Sequence, residues 1–235
     1  MVRRVEPEWL DELPADDPRA MRSRRDLRRV NACMLQPGIM ARHLRKHYGQ
    51  QAPCSILDLG AGDGTFMRNV ARRLASRWRG VTAILLDRQA IVSPQTRADF
   101  EALQWKVETM TADVLHALQS AELPRVDIIT ANLFLHHFQH DQLAPLLAHA
   151  ARHTGLFVAC EPRRAALGLI GSRLCWAIGC NDVSRHDAAV SVRAGFRDNE
   201  LSDLWPRHRQ WDLHEHATGL FSHCFVARRA DGSTA

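Results

Sequence analysis

The chain is organised around Ser55-Ile56-Leu57-Asp58-Leu59-Gly60-Ala61-Gly62-Asp63-Gly64-Thr65-Phe66. The first residues of this segment are mostly apolar and predict a buried parallel strand. Three glycines follow at alternate positions, and a helical pattern then begins, with Phe66, Val70 and Leu74 on one face. A strand, a glycine turn and a helix in this order are typical of a site for a nucleotide-like ligand, because glycine allows a sharp turn and a close approach of the ligand.

The spacing of the glycines narrows the kind of ligand. Dinucleotide-binding folds use G-x-G-x-x-G and rest a pyrophosphate on the helix N-terminus. Here the spacing is G-x-G-x-G, with Asp58 before it and Asp63 inside it. Two nearby carboxylates disfavour a pyrophosphate and favour a cationic ligand with an amino group. The alternative is a glycine turn that only packs a helix on the sheet.

The pattern Asp-x-Gly-x-Gly-x-Gly of residues 58–64 resembles motif I of the class I S-adenosylmethionine (SAM) methyltransferases. The resemblance covers residues 54–162 well and a terminal hairpin moderately. It implies an α/β fold with a doubly wound, seven-stranded, mostly parallel sheet, an antiparallel terminal hairpin strand, helices on both faces and an N-terminal helical lid. It also implies SAM as cofactor and S-adenosylhomocysteine as product. The motif residues expected at the cofactor are Asp58, Gly60, Ala61, Gly62 and Gly64.

Further cofactor-binding residues are predicted at the ends of later strands. Asp87 ends the second predicted strand, where a carboxylate can accept hydrogen bonds from both hydroxyls of a ribose. The resemblance implies that Asp113 accepts the adenine amino group and that neighbouring apolar residues such as Val114 hold the ring. It also places Asn132 near the methionine part of SAM.

Two histidines follow the fourth predicted strand, at the sheet edge where open α/β folds place their chemistry. The segment Asn132-Leu133-Phe134-Leu135-His136-His137 resembles the corresponding motif of small-molecule methyltransferases, including the quinone-biosynthesis type. His137 is the predicted catalytic residue here, and His136 is the alternative. Either one can instead be a structural histidine bonded to backbone.

A second candidate catalytic pair lies in the polar run of residues 180–187, beside an apolar helical segment. Polar groups that converge on an apolar wall are typical of a substrate pocket. His186 is a candidate base and Asp187 its candidate partner. Asp187 can instead cap a helix over residues 188–194.

The predicted organisation has three parts. Residues 1–50 form an N-terminal helical lid or acceptor-site segment, of which residues 1–15 are a mobile or loosely docked arm. Residues 51–230 form the SAM-binding domain, with a helical insertion at about 163–196, and residues 231–235 form a disordered tail. The first long helix should begin at Pro18 and carry an apolar stripe, Met21, Leu27, Val30 and Met34. Such an apolar stripe is expected both for a helix that forms a lid and for a helix that simply packs on the sheet.

Composition limits the possible partners. The net charge of +5 comes mostly from arginine, but no aromatics are interleaved with it, so a solvated surface is favoured over nucleic-acid binding. No apolar run approaches 18 residues, so no membrane span is predicted. The six cysteines form no C-x-x-C pair, which predicts no metal site and fits a reducing cytoplasm. Cys54, Cys160 and Cys224 are predicted core residues.

These features predict a SAM-dependent methyltransferase that acts on a small molecule, most simply on a hydroxyl of a phenolic or polyketide-like metabolite. The protein must align donor and acceptor and exclude water, and a histidine can take the hydroxyl proton. The alternatives are carbon methylation of a quinone-like precursor, a NAD-type oxidoreductase and a non-catalytic SAM-binding module. No Asn-Pro-Pro-Tyr follows strand four, which disfavours amino-methylating enzymes. A monomer and a homodimer are both compatible with the sequence.

Overall fold

The computed structural model describes residues 1–14, 16–120, 123–206 and 210–230. The strands are β1 (Ser55–Leu59), β2 (Thr82–Asp87), β3 (Lys106–Thr111), β4 (Val126–Asn132), β5 (Thr154–Pro162), β6 (Trp211–Thr218) and β7 (Ser222–Arg229). The α-helices are α1 (Trp9–Glu12), α2 (Pro18–Cys33), α3 (Gln36–Tyr48), α4 (Thr65–Leu74), α5 (Pro94–Ala102), α6 (Val114–Gln119), α7 (His140–His153), α8 (Ala166–Arg173), α9 (Asp182–Ala194) and α10 (Glu200–Leu204). Short 3-10 helices span Leu135–His137 and Leu174–Ile178. The predicted disordered tail, residues 231–235, lies outside the described residues.

The seven strands form one sheet in the order β3-β2-β1-β4-β5-β7-β6. Strands β1 to β5 are parallel, and β7 runs antiparallel to both β5 and β6. The predicted fold class is therefore confirmed, including the terminal hairpin. The strand order reverses between β1 and β4, and such a switch point leaves a crevice at the carboxyl ends of the two strands.

Alternating strand residues supply two apolar layers, one on each face of the sheet. On one face Leu57, Ile129 and Phe157 pack with α6, α7 and α10. On the other face Ile56 and Val158 pack with α3, α4 and α5. These side chains are almost fully buried, and each such burial contributes about 1.5–3 kcal/mol. The core therefore holds β1 and its following turn rigidly under the crevice.

Helix α2 starts as predicted, because the Asp17 side chain accepts a hydrogen bond from the Arg19 backbone N–H at 2.7 Å and Pro18 follows it. Its apolar stripe does not pack on the sheet. Met21 is half-exposed, while the remaining stripe residues line a cavity. Those residues are Leu27, Val30 and Met34. Helix α3, which begins at Gln36 and Pro37, packs on the sheet instead.

The face of α2 that is buried is largely polar. Ser23 and Asp26 are almost fully buried there. The Oγ atoms of Ser23 and Ser184 lie 2.8 Å apart, and Asp26 accepts hydrogen bonds from the Ser184 hydroxyl at 3.2 Å and the Asn181 backbone N–H at 2.8 Å. Hydrogen bonds between buried polar groups therefore join α2 to α9.

The N-terminal segment is docked, so the prediction of a mobile or loosely docked arm is wrong for residues 1–14. Arg3 donates hydrogen bonds to the carbonyl oxygens of Ala194 at 2.8 Å and Phe138 at 2.9 Å. Its guanidinium also lies 4.6 Å from the centre of the Phe196 ring. Carbonyls at the end of α9 lack partners within their helix, and the guanidinium supplies one.

The cysteine prediction is partly wrong. Cys160 and Cys224 are buried cross-strand partners in β5 and β7, as expected of core residues. Cys54 is exposed, because it lies just before β1, where the chain enters the sheet. Within the described ranges, no helix is long and apolar enough to cross a membrane.

Candidate active site

The turn between β1 and α4 requires glycine for two reasons. Gly60, Gly62 and Gly64 have φ angles of +66°, +56° and +75°, which L-residues with a side chain rarely adopt. A Cβ on Gly60 would also lie 2.1 Å from the Phe134 ring, and one on Gly64 would lie 2.8 Å from Leu85. Glycine at positions 60 and 64 therefore lets the backbone pass close to Phe134 and Leu85.

Asp87 is held rigidly at the end of β2. Its Oδ2 accepts a hydrogen bond from the Gly62 backbone N–H at 2.8 Å, and its Oδ1 accepts one from the Gln89 backbone N–H at 2.9 Å. Each carboxylate oxygen accepts this one hydrogen bond from the described residues and has the capacity to accept another. Asp87 is thus fixed to the glycine turn and can still accept two hydroxyl groups.

Asp58 is a buried carboxyl beneath the same turn, only 2% exposed. The Thr130 hydroxyl donates a hydrogen bond to it at 2.6 Å. Burial raises the pKa of Asp58 to about 7, the hydrogen bond from Thr130 opposes this shift, and the nearby charge of Asp87 adds to it. A cation placed beside Asp58 would favour its ionised form.

The remaining predicted cofactor residues lie along the same edge of the sheet. Asp113 caps α6 by accepting a hydrogen bond from the Leu115 backbone N–H at 2.9 Å. Asn132 donates from its side-chain amide to Asn31 of α2 at 3.2 Å. A cavity of about 850 Å³ opens there, and eight of the nine predicted cofactor residues line it. These are Asp58, Gly60, Ala61, Gly62, Asp87, Asp113, Val114 and Asn132. Gly64 is not among the lining residues and is the N-cap residue of α4.

His136 lies between two carboxylates at one wall of the cavity. Its Nδ1 is 2.8 Å from Oε2 of Glu161, and its Nε2 is 3.2 Å from Oε1 of Glu8. Burial lowers the pKa of His136, but the hydrogen bonds to Glu161 and Glu8 outweigh it and raise the pKa to about 9. Burial conversely raises the pKa of Glu8, and its contacts with His136 and His137 lower it to about 2. At neutral pH His136 is therefore a buried cation.

His137, the predicted base, lines the cavity beside this pair. Its Nδ1 lies 3.0 Å from Asp11 Oδ2, and its Nε2 lies 4.0 Å from Glu8 Oε2. Ligand atoms of Glu8, His136 and His137 all lie within 4.8 Å of one another, a spacing that also suits a metal ion. The proton on His136 already supplies positive charge between Glu8 and Glu161.

The second candidate pair is arranged differently from the prediction. Helix α9 begins at Asp182 and is capped by Asn181, so Asp187 lies in its middle and does not cap a helix at 188. The Asp187 carboxylate instead accepts hydrogen bonds from the backbone N–H groups of Trp9 at 2.9 Å and Leu10 at 3.0 Å, which caps α1. Burial raises the pKa of Asp187, against the effect of its hydrogen bond with His186.

His186 does pair with its neighbour, since its Nδ1 lies 3.0 Å from Asp187 Oδ1. Its ring stacks on Trp9 with the ring centres 3.9 Å apart and the planes inclined by 7°. Asp187 lines the cavity, whereas His186 is not among the lining residues. The geometry therefore favours His137 over His186 as the group that reaches an acceptor.

Two acids of the site escaped the sequence analysis. Glu161 accepts hydrogen bonds from the backbone N–H groups of Phe134 at 3.1 Å and Leu135 at 2.9 Å, besides its contact with His136. Its position at the carboxyl end of the fifth strand was the available signal. Glu8 lies 128 residues from His136 in the chain, and no local pattern links the two.

Comparisons with known proteins show which proteins share this sequence pattern and fold. Residues 56–155 match the family model described as a methyltransferase domain. An uncharacterized methyltransferase of Mycobacterium bovis is 35% identical over 92 residues, which are 38% of this chain and 40% of that protein. An O-methyltransferase family protein from Burkholderia thailandensis superposes with a TM-score of 0.59 at 19% identity, covering 93% of this chain and 62% of that chain.

Two further solved structures share the fold. Mitomycin 7-O-methyltransferase superposes with a TM-score of 0.58 at 18% identity, covering 94% of this chain and 60% of that chain. Human N-acetylserotonin methyltransferase in complex with SAM gives a TM-score of 0.53 at 13% identity, covering 94% of this chain and 61% of that chain. This chain thus spans less than two thirds of the length of each protein compared. The chain has the class I methyltransferase fold, and residues 56–155 match the methyltransferase domain family within it.

Proposed function

We propose that this protein transfers the methyl group of SAM to a hydroxyl of a small, phenolic or polyketide-like acceptor. One observation carries the proposal. A single cavity of about 850 Å³ contains both the glycine turn with its carboxylates and the histidine His137. Its volume suits a small cofactor and a small acceptor together. Two solved structures that share the fold are named as O-methyltransferases, and the name of a third gives the small molecule N-acetylserotonin as its acceptor. These names support the same acceptor class.

The carboxylates divide the recognition of SAM between them. Asp87 accepts hydrogen bonds from the ribose hydroxyls, because two of its lone pairs remain available. Asp113 accepts the adenine amino group, and Val114 contacts the ring. Asp58 balances the cationic amino group, and Asn132 lies beside the methionine part. When bound, SAM supplies a methyl group that its positive sulfur has already activated.

His136 and His137 line one wall of the cavity, and this wall removes the proton of the acceptor hydroxyl. His137 takes it at Nε2, while Asp11 holds the proton at Nδ1 and fixes the ring. His136 cannot act as a base at neutral pH because it already carries a proton, and its charge instead positions Glu8. Asp187 and His186 act as positioning residues, since Asp187 caps the helix that carries Asp11.

The apolar part of the cavity receives the acceptor. Its wall includes Leu27, Val30 and Met34 of α2 together with Phe138 and Phe221. In this proposal residues 1–50 form a lid over the acceptor, residues 51–230 carry the cofactor, and the insertion at about 163–196 completes the acceptor side. An apolar wall that closes around the reacting atoms keeps water away from the methyl-transfer reaction.

A pair of matched variants tests the proposal. SAM binding is measured by calorimetry with NADH as a control, and turnover is measured with labelled SAM and a panel of phenols. His137→Gln should bind SAM normally and lose about 10²–10⁴ in kcat, the usual contribution of a general base. His186→Gln should change kcat less than tenfold. Full turnover by His137→Gln would refute the base, and binding of NADH without SAM would refute the function.

A further inference from the structure

One wall of the cavity gathers two histidines and a glutamate into a compact group. One ligand atom each from Glu8, His136 and His137 all lie within 4.8 Å of one another. Among the residues that the structure describes, no other three histidine, cysteine or acidic side chains come as close in this way. Because Glu8 is 128 residues from His136, the sequence, which predicted no metal site, could not reveal this group. We call these three residues the wall triad.

The carboxylate of Glu8 faces one nitrogen of each imidazole. Its Oε1 lies 3.2 Å from Nε2 of His136, and its Oε2 lies 4.0 Å from Nε2 of His137. Two ligand atoms on one tetrahedral zinc ion, each about 2.0–2.1 Å from the metal, lie roughly 3.3 Å apart. The first distance matches this separation, and the second exceeds it by about 0.7 Å. The partly exposed ring of His137 can close that difference with a small movement.

The other nitrogen of each imidazole is bonded to a carboxylate. Nδ1 of His136 lies 2.8 Å from Glu161. Nδ1 of His137 lies 3.0 Å from Asp11. Histidines that bind metal ions almost always donate their second ring N–H to such an acceptor, which fixes the tautomer and the orientation of the ring. This observation is independent of the spacing, and it leaves both Nε2 atoms directed at Glu8.

The charges around the wall triad also favour a cation. Three carboxylates, those of Glu8, Asp11 and Glu161, contact the two imidazoles. Arg3 supplies one nearby positive charge, since its guanidinium lies 3.2 Å from the carbonyl oxygen of His136. A divalent ion that replaces the proton on His136 would, together with Arg3, balance the three carboxylates. Opposite charges attract strongly at such short range in a buried site.

We propose that the wall triad binds one divalent transition-metal ion, such as Zn²⁺, and that the bound ion blocks methyl transfer. Two imidazoles and one carboxylate select such ions over Mg²⁺ or Ca²⁺, which prefer oxygen ligands. The ion takes the place of a proton on Nε2 of His136, so its binding releases that proton. It also occupies Nε2 of His137, the atom that takes the acceptor's proton in the proposed function. The inhibition therefore rests on the proposed function, whereas the metal site does not.

Titration of the tag-free full-length protein with ZnCl₂ tests the metal site, with stoichiometry and affinity read by calorimetry. One ion per chain is expected. Glu8→Gln removes the carboxylate ligand and should weaken binding at least tenfold. Asp11→Asn keeps all three ligands but removes the partner of His137, and such partners typically contribute about 10–100-fold in affinity. His140→Ala, which removes an exposed histidine from the start of α7, is the matched control and should bind zinc like the unmodified protein.

Turnover with labelled SAM and the panel of phenols tests the inhibition. Saturating Zn²⁺ should lower kcat at least tenfold, and removal of the ion with EDTA should restore it. Glu8→Gln should keep most of its own turnover at the same zinc concentration, because it no longer holds the ion beside His137.

The outcomes separate the metal site from the proposed function. No saturable binding, or binding that Glu8→Gln and Asp11→Asn both leave unchanged, would overturn the metal site. Saturable binding that leaves turnover unchanged or raises it would overturn the inhibition. If no phenol is methylated without metal, the proposed function is refuted and the inhibition falls with it, whereas calorimetry still decides the metal site. Thermal unfolding of each variant without metal shows whether it is folded, and Asp11 is included because its half-exposed side chain should tolerate replacement.

Discussion

Lowering the pH from 8 to 6 should weaken SAM binding about tenfold, and Asp58 should be the cause. Burial holds the pKa of this carboxyl near 7 in the free protein. The cationic amino group of SAM requires the ionised form, so the apparent Kd is multiplied by one plus the ratio of protonated to ionised Asp58. With that pKa the factor is about 1.1 at pH 8 and about 11 at pH 6, a difference of about 1.4 kcal/mol.

The assay is calorimetric titration with SAM at pH 6, 7 and 8, in two buffers of different ionisation enthalpy. At pH 6 the difference between the buffers should report release of nearly one proton per SAM bound. Adenosine is the matched control ligand, because in the proposed function it is held by Asp87 and Asp113 but carries no cationic amino group. Its Kd should vary little across the same range.

Two variants sharpen the result. Asp58→Asn cannot ionise, so it should bind SAM more weakly at pH 8 and show no such pH dependence. Thr130→Val removes the hydrogen bond that lowers the pKa of Asp58, so the loss of affinity should begin at higher pH. The reasoning is wrong if adenosine shows the same pH dependence as SAM, or if Asp58→Asn retains it.

Two stability predictions follow from other parts of the fold. Gly60→Ala should lower the free energy of unfolding by about 2–4 kcal/mol, because it adds a clash with Phe134 to an unfavourable φ. Gly62→Ala has similar φ strain but open space around the new Cβ, so it should lower the free energy of unfolding by about 1 kcal/mol. Equal losses for the two variants in urea unfolding would contradict this. Acid should destabilise the fold through His43 and His47, because burial lowers their pKa to about 4 and the unfolded chain therefore binds protons first as the pH falls below 6.5. His43 should contribute about 2 kcal/mol of this loss by pH 5 and the more exposed His47 less, so the double variant His43→Asn/His47→Gln should show a flatter Tm between pH 7.5 and 5.

The sequence could bring the predicted cofactor residues together in one place because their determinants are local. The turn of residues 58–64 combines strand, glycines and helix within one short segment. The position of Asp87 beside the turn could be predicted because parallel strands end at the same edge of the sheet, and the Gly62 backbone N–H does donate a hydrogen bond to it. Eight of the nine predicted cofactor residues line one cavity for this reason.

The acceptor side was harder to predict because it is assembled from distant segments. The contact between Glu8 and His136 joins residues 128 positions apart, and nothing in either segment signals the other. His186 and Asp187 do pair, as adjacency allowed, yet the helix turns the imidazole onto Trp9. A helical stripe such as that of α2 shows which face is apolar, but not whether it meets a sheet or a cavity.

The polar contact between α2 and α9 has a consequence for turnover. A reaction enclosed by an apolar wall must release its product and admit new reactants in every cycle. Separating Ser23 from Ser184 and Asp26 from Asn181 exchanges protein hydrogen bonds for hydrogen bonds to water, at a small net cost. We therefore expect amide protons of α2 to exchange with solvent much faster than those of α3. In the proposed function, α2 moves to open the cavity while α3 stays packed on the sheet.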